Sequence, residues 1–112
     1  MVVKARSAGA VAILELAGRF DAYIAPRVAE WLEQVSTAAP AYVVVNLAGV
    51  TFMDSTALGT LVQGMKRCRE HDGDLHLAGL QQPVHVILEL TRLNRVFKTF
   101  PTEDQAIRAF GG

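Results

Sequence analysis

Cysteine is almost missing from this chain. Cys68 stands alone, which excludes an internal disulfide framework and a zinc site built from several thiolates. Charge of one sign is missing as well: eleven basic and eleven acidic side chains cancel. Without a positive excess there is no long-range attraction to a phosphate backbone or an anionic lipid surface, so neither nucleic acid nor a membrane is an expected partner. Long apolar runs are absent. The longest nearly uncharged stretch, Ala41 to Met53, is too short to span a bilayer and predicts a strand followed by a loop. The N-terminal Met1-Val2-Val3-Lys4-Ala5-Arg6 has no apolar core of signal-peptide type, so a cytoplasmic location is expected. His71, His76 and His85 lack ligand-like spacing, and no metal or cofactor is expected. No linker, repeat or low-complexity segment divides the 112 residues, which predicts one domain over 1–112.

What is present is a regular alternation of strand and helix signals. Val2 to Arg6 and Val11 to Leu16 predict two strands joined by the turn Ser7-Ala8-Gly9-Ala10, a hairpin. Gly18-Arg19-Phe20-Asp21 ends the second strand. Pro26 suits the first turn of a helix, and Val28, Trp31, Leu32 and Val35 follow at helical spacing as a buried stripe. Pro40 stops that helix. Tyr42 to Leu47 is apolar on both faces apart from Asn46, the pattern of a strand covered on both sides. A helix over about Ser55 to His71 places Leu58, Leu61, Val62, Met65 and Cys68 on one face, and Thr56, Gln63, Lys66, Arg67 and Glu70 on the other. Leu75 to Ala78 is a strand. Gln82-Pro83 opens a helix carrying Val84, Ile87, Leu88 and Thr91 inward. Val96 to Phe100 is a last strand. Thr102 with Gln105 forms a capping box for a C-terminal helix packing through Ala106, Ile107 and Phe110. The order ββαβαβαβα predicts an α/β domain of about four helices, with a mostly parallel mixed sheet and one antiparallel edge from the initial hairpin.

The most informative segment is Val43 to Gly59. A β-branched strand runs into a short apolar loop, carrying Val50, Phe52 and Met53, that delivers Asp54-Ser55-Thr56 to the start of a helix. A hydroxyl there sits among free backbone N–H groups at the positive end of a helix dipole, where a phosphate is well tolerated. Strand, apolar loop, Asp-Ser-Thr, small residue, Leu, Gly resembles the phosphoacceptor segment of a STAS domain, specifically of bacterial anti-sigma factor antagonists. The resemblance extends over nearly the whole chain: Leu16-Ala17-Gly18-Arg19-Phe20-Asp21 with Ala25-Pro26, Gly79-Leu80 with Val84 and Leu88, and Leu90 through Phe97 all match family segments. Ala57 departs from a common glycine. Ile24 stands where a polar cap is usual and predicts poorly satisfied donors at the first helix. Arg92 and Asn94 replace a Gly and an Asp.

The resemblance implies a STAS fold and makes Ser55 the phosphorylated residue, with Asp21, Asp54, Ser55, Thr56 and Gly59 on the partner-binding surface. It implies an anti-sigma factor with serine kinase activity and a PP2C-type phosphatase as partners. The chain has no Gly-x-x-x-x-Gly-Lys-Ser/Thr loop and no kinase signature, so it is expected to be a substrate rather than an enzyme. Unphosphorylated, it would bind the anti-sigma factor and release a sigma factor. Asp54 could orient the Ser55 hydroxyl or the partner's groups. The plainer alternative makes Asp54 or Ser55 only a helix cap. Other STAS domains serve as subunits of lipid-transport ABC systems or as tails of anion transporters, the latter requiring membrane spans.

Further residues carry weaker expectations. Met53 is expected under the end of the sheet, the alternative being a place on the docking surface. Cys68 and Trp31 are expected to pack in the core. Lys66, Arg67 and Arg69 form a solvated basic face that could meet an acidic partner. Gly59 and Gly64 suggest close approach by another backbone, either the sheet behind or a partner in front.

Overall fold

The computed structural model describes residues 1–111. Its elements are β1 (Val2–Ala8), β2 (Val11–Phe20), α1 (Ala25–Val35), β3 (Tyr42–Met53), α2 (Ser55–Glu70), β4 (Asp74–Ala78), α3 (Gln82–Leu90), β5 (Lys98–Phe100) and α4 (Glu103–Arg108), with a 3₁₀ turn at Leu93–Arg95 before β5. The five strands lie in sequence order, β1-β2-β3-β4-β5. β1 is antiparallel to β2 and the remaining pairs are parallel. This is the α/β fold that the alternation predicts.

A sheet that grows in one direction through right-handed crossovers must keep its connecting helices on one face. Alternation along the strands matches that layering. Leu14, Leu16, Val43, Val45, Leu47, Leu75 and Leu77 pack with Val28 and Leu32 of α1, Leu58, Leu61 and Met65 of α2, and Val84 and Leu88 of α3. Val11, Ile13, Val44 and Ala78 face the other way, beneath Ala106 of α4. On this second side Phe110 stacks on His76 at 3.8 Å between ring centres and on Tyr42 at 4.7 Å. The His76 Nδ1–H donates to the Ala106 carbonyl (2.9 Å). Glu103 accepts from Asn46 Nδ2 (3.2 Å) and pairs with Arg6, tying the start of α4 to β1 and β3.

Several expectations are corrected. The stretch Val50 to Met53 is strand, not loop: β3 runs 12 residues, and Val50, Phe52 and Met53 pair with Gly18, Arg19 and Phe20 of β2. β4 pairs only with Tyr42 to Asn46, so the far half of β3 projects past β4 with β2 as its sole partner, a two-stranded extension. The strands approach tightly there, since a β-carbon on Gly49 would lie 2.6 Å from the Cβ of Ala17. The last strand is shorter than expected, because Val96 ends the 3₁₀ turn. Thr91 is exposed rather than inward: it ends α3, its hydroxyl donating back to the Ile87 carbonyl (2.7 Å). Thr102 accepts from the Gln105 amide (3.2 Å), the forward half of the expected capping box. Arg92 takes the left-handed backbone (φ +61°) that a glycine adopts freely.

Candidate functional site

The two-stranded extension ends at the pair Phe20–Met53, and both chains leave it at an aspartate. The Asp54 amide donates to the Phe20 carbonyl (3.3 Å) and closes the tip. Asp54 is the N-cap of α2. Its backbone is extended, its Oδ1 accepts from the Ala57 amide (2.9 Å), and its carbonyl accepts from Leu58 (3.1 Å). Its second oxygen, Oδ2, accepts from the Ala22 amide (2.9 Å) in the β2–α1 turn. That long-range bond was not legible in the sequence, because a cap explains only the first oxygen. With both oxygens on backbone amides, Asp54 holds the main chain, and neither oxygen is hydrogen-bonded to the Ser55 hydroxyl.

Asp21 organises the facing turn in the same way. Its carbonyl accepts from Ile24 (3.1 Å) and Ala25 (2.9 Å), and its Oδ1 accepts from Tyr23 (3.1 Å). The first helix therefore has satisfied donors without a polar side chain at Ile24. The carbonyls of Asp21 and Ile24 take the amides of Ala25, Arg27 and Val28, and Pro26 has none to satisfy. Arg19 lies over the Phe52 ring at 4.0 Å, with its Nε 4.0 Å from Asp21 Oδ2.

Ser55 is the first residue of α2 and is exposed, as are Thr56 and Gly59. Among the described residues the Ser55 hydroxyl has no hydrogen-bond partner, and the amides of Ser55 and Thr56 have no protein acceptor. The helix thus keeps two free donors beside an unengaged hydroxyl. Thr56 and Gly59 border a groove of about 390 Å³ between α1 and α2, floored by Leu32 and Gly64 and walled by Glu33 and Arg67. A β-carbon on Gly64 would meet Leu32 at 2.7 Å, so that glycine admits α1; one on Gly59 would meet nothing within 4 Å. The structure therefore brings Asp21, Asp54, Ser55 and Thr56 together at one tip, with Gly59 a turn further along α2.

Other candidates resolve differently. Met53 is 2% exposed, which removes it from the docking surface. Cys68 is buried, and burial together with Asp74 pushes its thiol up to about 11. Trp31 packs partly buried against the core. Arg69 is structural, bonding Asp74 Oδ1 (3.0 Å) and the Val96 carbonyl (2.7 Å). Among the described residues no group of three or more metal-ligating side chains could hold an ion, and no helix is long and apolar enough to cross a membrane. A larger cleft of about 620 Å³, beside Gly79, His85 and Phe100, shares no residue with the β2–α1 or β3–α2 turns. The candidate site is the tip at Ser55, not the larger cavity.

The fold is thus an α/β sheet in strict sequence order, with an unengaged serine heading its central crossover helix. Residues 2–106 match the STAS domain family, and the chain belongs to it. It is 35% identical over 83 residues to an anti-sigma-B factor antagonist of Listeria monocytogenes, covering 74% of this chain and 73% of that protein. An anti-sigma-factor antagonist (STAS) domain protein from Planctomyces limnophilus superposes with a TM-score of 0.89 at 22% identity, covering 98% of each chain. SpoIIAA, a Bacillus cell fate determinant solved in its phosphorylated form, superposes with a TM-score of 0.75 at 16% identity, over 96% of this chain and 98% of that one. At these identities the structural likenesses concern the fold alone.

Proposed function

We propose that this protein is an anti-sigma factor antagonist switched by phosphorylation of Ser55. The observation that carries the reading is the exposed, unpartnered Ser55 hydroxyl at the head of α2, with two free amides beside it. The 35% identity to an anti-sigma-B factor antagonist supports the class. In its unmodified state the surface formed by Asp21, Asp54, Ser55, Thr56 and Gly59 docks on an anti-sigma factor that is also a serine kinase, which lets go of its sigma factor and allows transcription. The kinase supplies ATP, Mg²⁺ and the base, and this chain supplies only the hydroxyl. Phosphorylation adds about −1.5 to −2 charges. The helix N-terminus accommodates that charge in the free domain, whereas a docked partner would bury it against Asp54. A coupling of about 3 kcal/mol weakens binding more than a hundredfold. A PP2C-type phosphatase resets the switch in the cytoplasm.

The test combines phosphopeptide mapping with capture. Incubation with the serine-kinase anti-sigma factor of the same genome and ATP yields phosphate on Ser55; label on Thr56 with Ser55 bare overturns the assignment. Ser55→Ala retains capture of that kinase and Ser55→Asp loses it. Equal capture by both variants, with co-purification of an ABC ATPase, favours the transport-subunit reading instead.

A further inference from the structure

Tyr23 is 89% exposed, the most exposed large apolar side chain among the described residues. Single exposed apolar residues are ordinary, but the backbone beneath this one is unusually constrained. The Tyr23 amide is held by Asp21 Oδ1, the preceding Ala22 amide by Asp54 Oδ2, and the following Ile24 amide by the Asp21 carbonyl. Three consecutive amides are fixed under a ring that touches solvent. With its backbone already fixed, this tyrosine has only its two side-chain torsions left to order on binding, which is what binding surfaces draw from tyrosine.

Its position decides what it meets. The Ala22–Asp54 bond joins the chain neighbours of Tyr23 and Ser55, so the Cα atoms of Tyr23 and Ser55 lie at most about 16 Å apart along that path. Any protein that transfers phosphate to Ser55 must bring its own reacting atoms to about 3–3.5 Å from the hydroxyl oxygen. A footprint of ordinary size, about 800 Å² per partner, centred there reaches about 16 Å in every direction. Tyr23 therefore lies within reach of the partner. We propose that Tyr23 is the aromatic anchor by which the serine kinase grips this domain, with Asp54 as the positioning residue that keeps anchor and phosphoacceptor in fixed register. The partner then presents an apolar pocket for the ring, open or polar at its end for the hydroxyl. This inference rests on the proposed function and names its specificity-determining contact.

The experiment uses the full chain and the purified kinase that phosphorylates Ser55. Binding constants, and KM and kcat for Ser55 phosphorylation, are measured for wild type, Tyr23→Ala, Tyr23→Phe and Ser55→Asp. Tyr23→Ala melts as wild type does, binds at least about 30-fold more weakly and raises KM with kcat unchanged, while Tyr23→Phe stays near wild type. Wild-type binding by Tyr23→Ala, alongside lost binding by Ser55→Asp, overturns the anchor and leaves the switch standing. A fall in kcat at constant KM also overturns it, as does a Tyr23→Phe variant as weak as Tyr23→Ala. Failure of wild type to bind, or equal binding by Ser55→Asp, overturns the switch and the anchor together.

Discussion

Asp54 concentrates more structure than any other single side chain at this tip. One oxygen caps α2 and the other fixes the β2–α1 turn, so its two losses can be separated. Asn caps a helix about as well as Asp but offers one acceptor oxygen, leaving one of the two amides facing an NH₂ group. Asp54→Asn is expected to cost about 1 kcal/mol, the worth of one hydrogen bond. Asp54→Ala is expected to cost about 2 kcal/mol by adding the loss of the cap. Urea titration of the three proteins gives that order, and equal midpoints for Asn and Ala would mean that only one of the two bonds matters. The cap was legible in the order Asp-Ser-Thr before an apolar stripe. The clamp on Ala22 was not, because it joins positions 32 apart. Tyr23 carries no signal in the sequence for a related reason: its backbone is fixed by bonds from Asp21 and, through Ala22, from the distant Asp54.

At the scale of elements, the extension of β2 and β3 is what lifts Asp21 and Asp54 clear of the sheet. Its sequence gives a poor strand signal, since Ala48-Gly49 interrupts the apolar run and two register irregularities against β2 break the alternation. Gly49→Ala is expected to destabilise the protein by about 2–3 kcal/mol, because the new methyl overlaps the Cβ of Ala17 and backbone must move. Gly59→Ala should act oppositely, raising stability by about 1 kcal/mol from helix propensity in open space. If Gly59 belongs to the docking surface, the same variant binds the kinase more weakly. Thermal melts with a capture assay read both effects. On the opposite side of the sheet, α4 is held through His76. Burial pushes its imidazole pKa down, outweighing the backbone bond to Ala106 and nearby Asp74, with Lys98 and Arg69 lowering it further. The ring is therefore neutral and its 3.9 Å approach to Asp74 is not an ion pair. Since the unfolded chain binds that proton near pH 6.5 and the fold resists it, stability is full above about 6.5 and falls as pH drops toward the lower folded value. A denaturant midpoint measured against pH should fall less steeply over that window in His76→Phe.

For the molecule as a whole, periodicity was enough to read the elements, while the placing of α4 alone on the second side of the sheet was not legible. Helical stripes at Val28–Leu32, Leu58–Leu61–Met65 and Val84–Leu88 each bury the face their spacing predicts, whereas right-handed crossovers alone allow several strand orders, and only the fold shows which is taken. The tip was only half legible, since chain-local motifs locate Ser55 while the bonds that assemble its surroundings cross between distant turns. The core's integrity also has a chemical readout. Cys68 is fully buried with its thiol held up to about 11, so a disulfide reagent should label the native protein only as fast as the fold opens. Rapid labelling at low denaturant would show α2 detaching from the sheet on its own. The strict left-to-right strand order has a consequence for biogenesis. Every strand pairs with the one made just before it, so nothing waits for a later insertion. At about 5–20 residues per second from the ribosome, against microseconds for a hairpin, the nascent domain can grow outward from β1 as it emerges. The last contact to close is Phe110 sliding onto His76, sealing the sheet's second side after its strands are already joined.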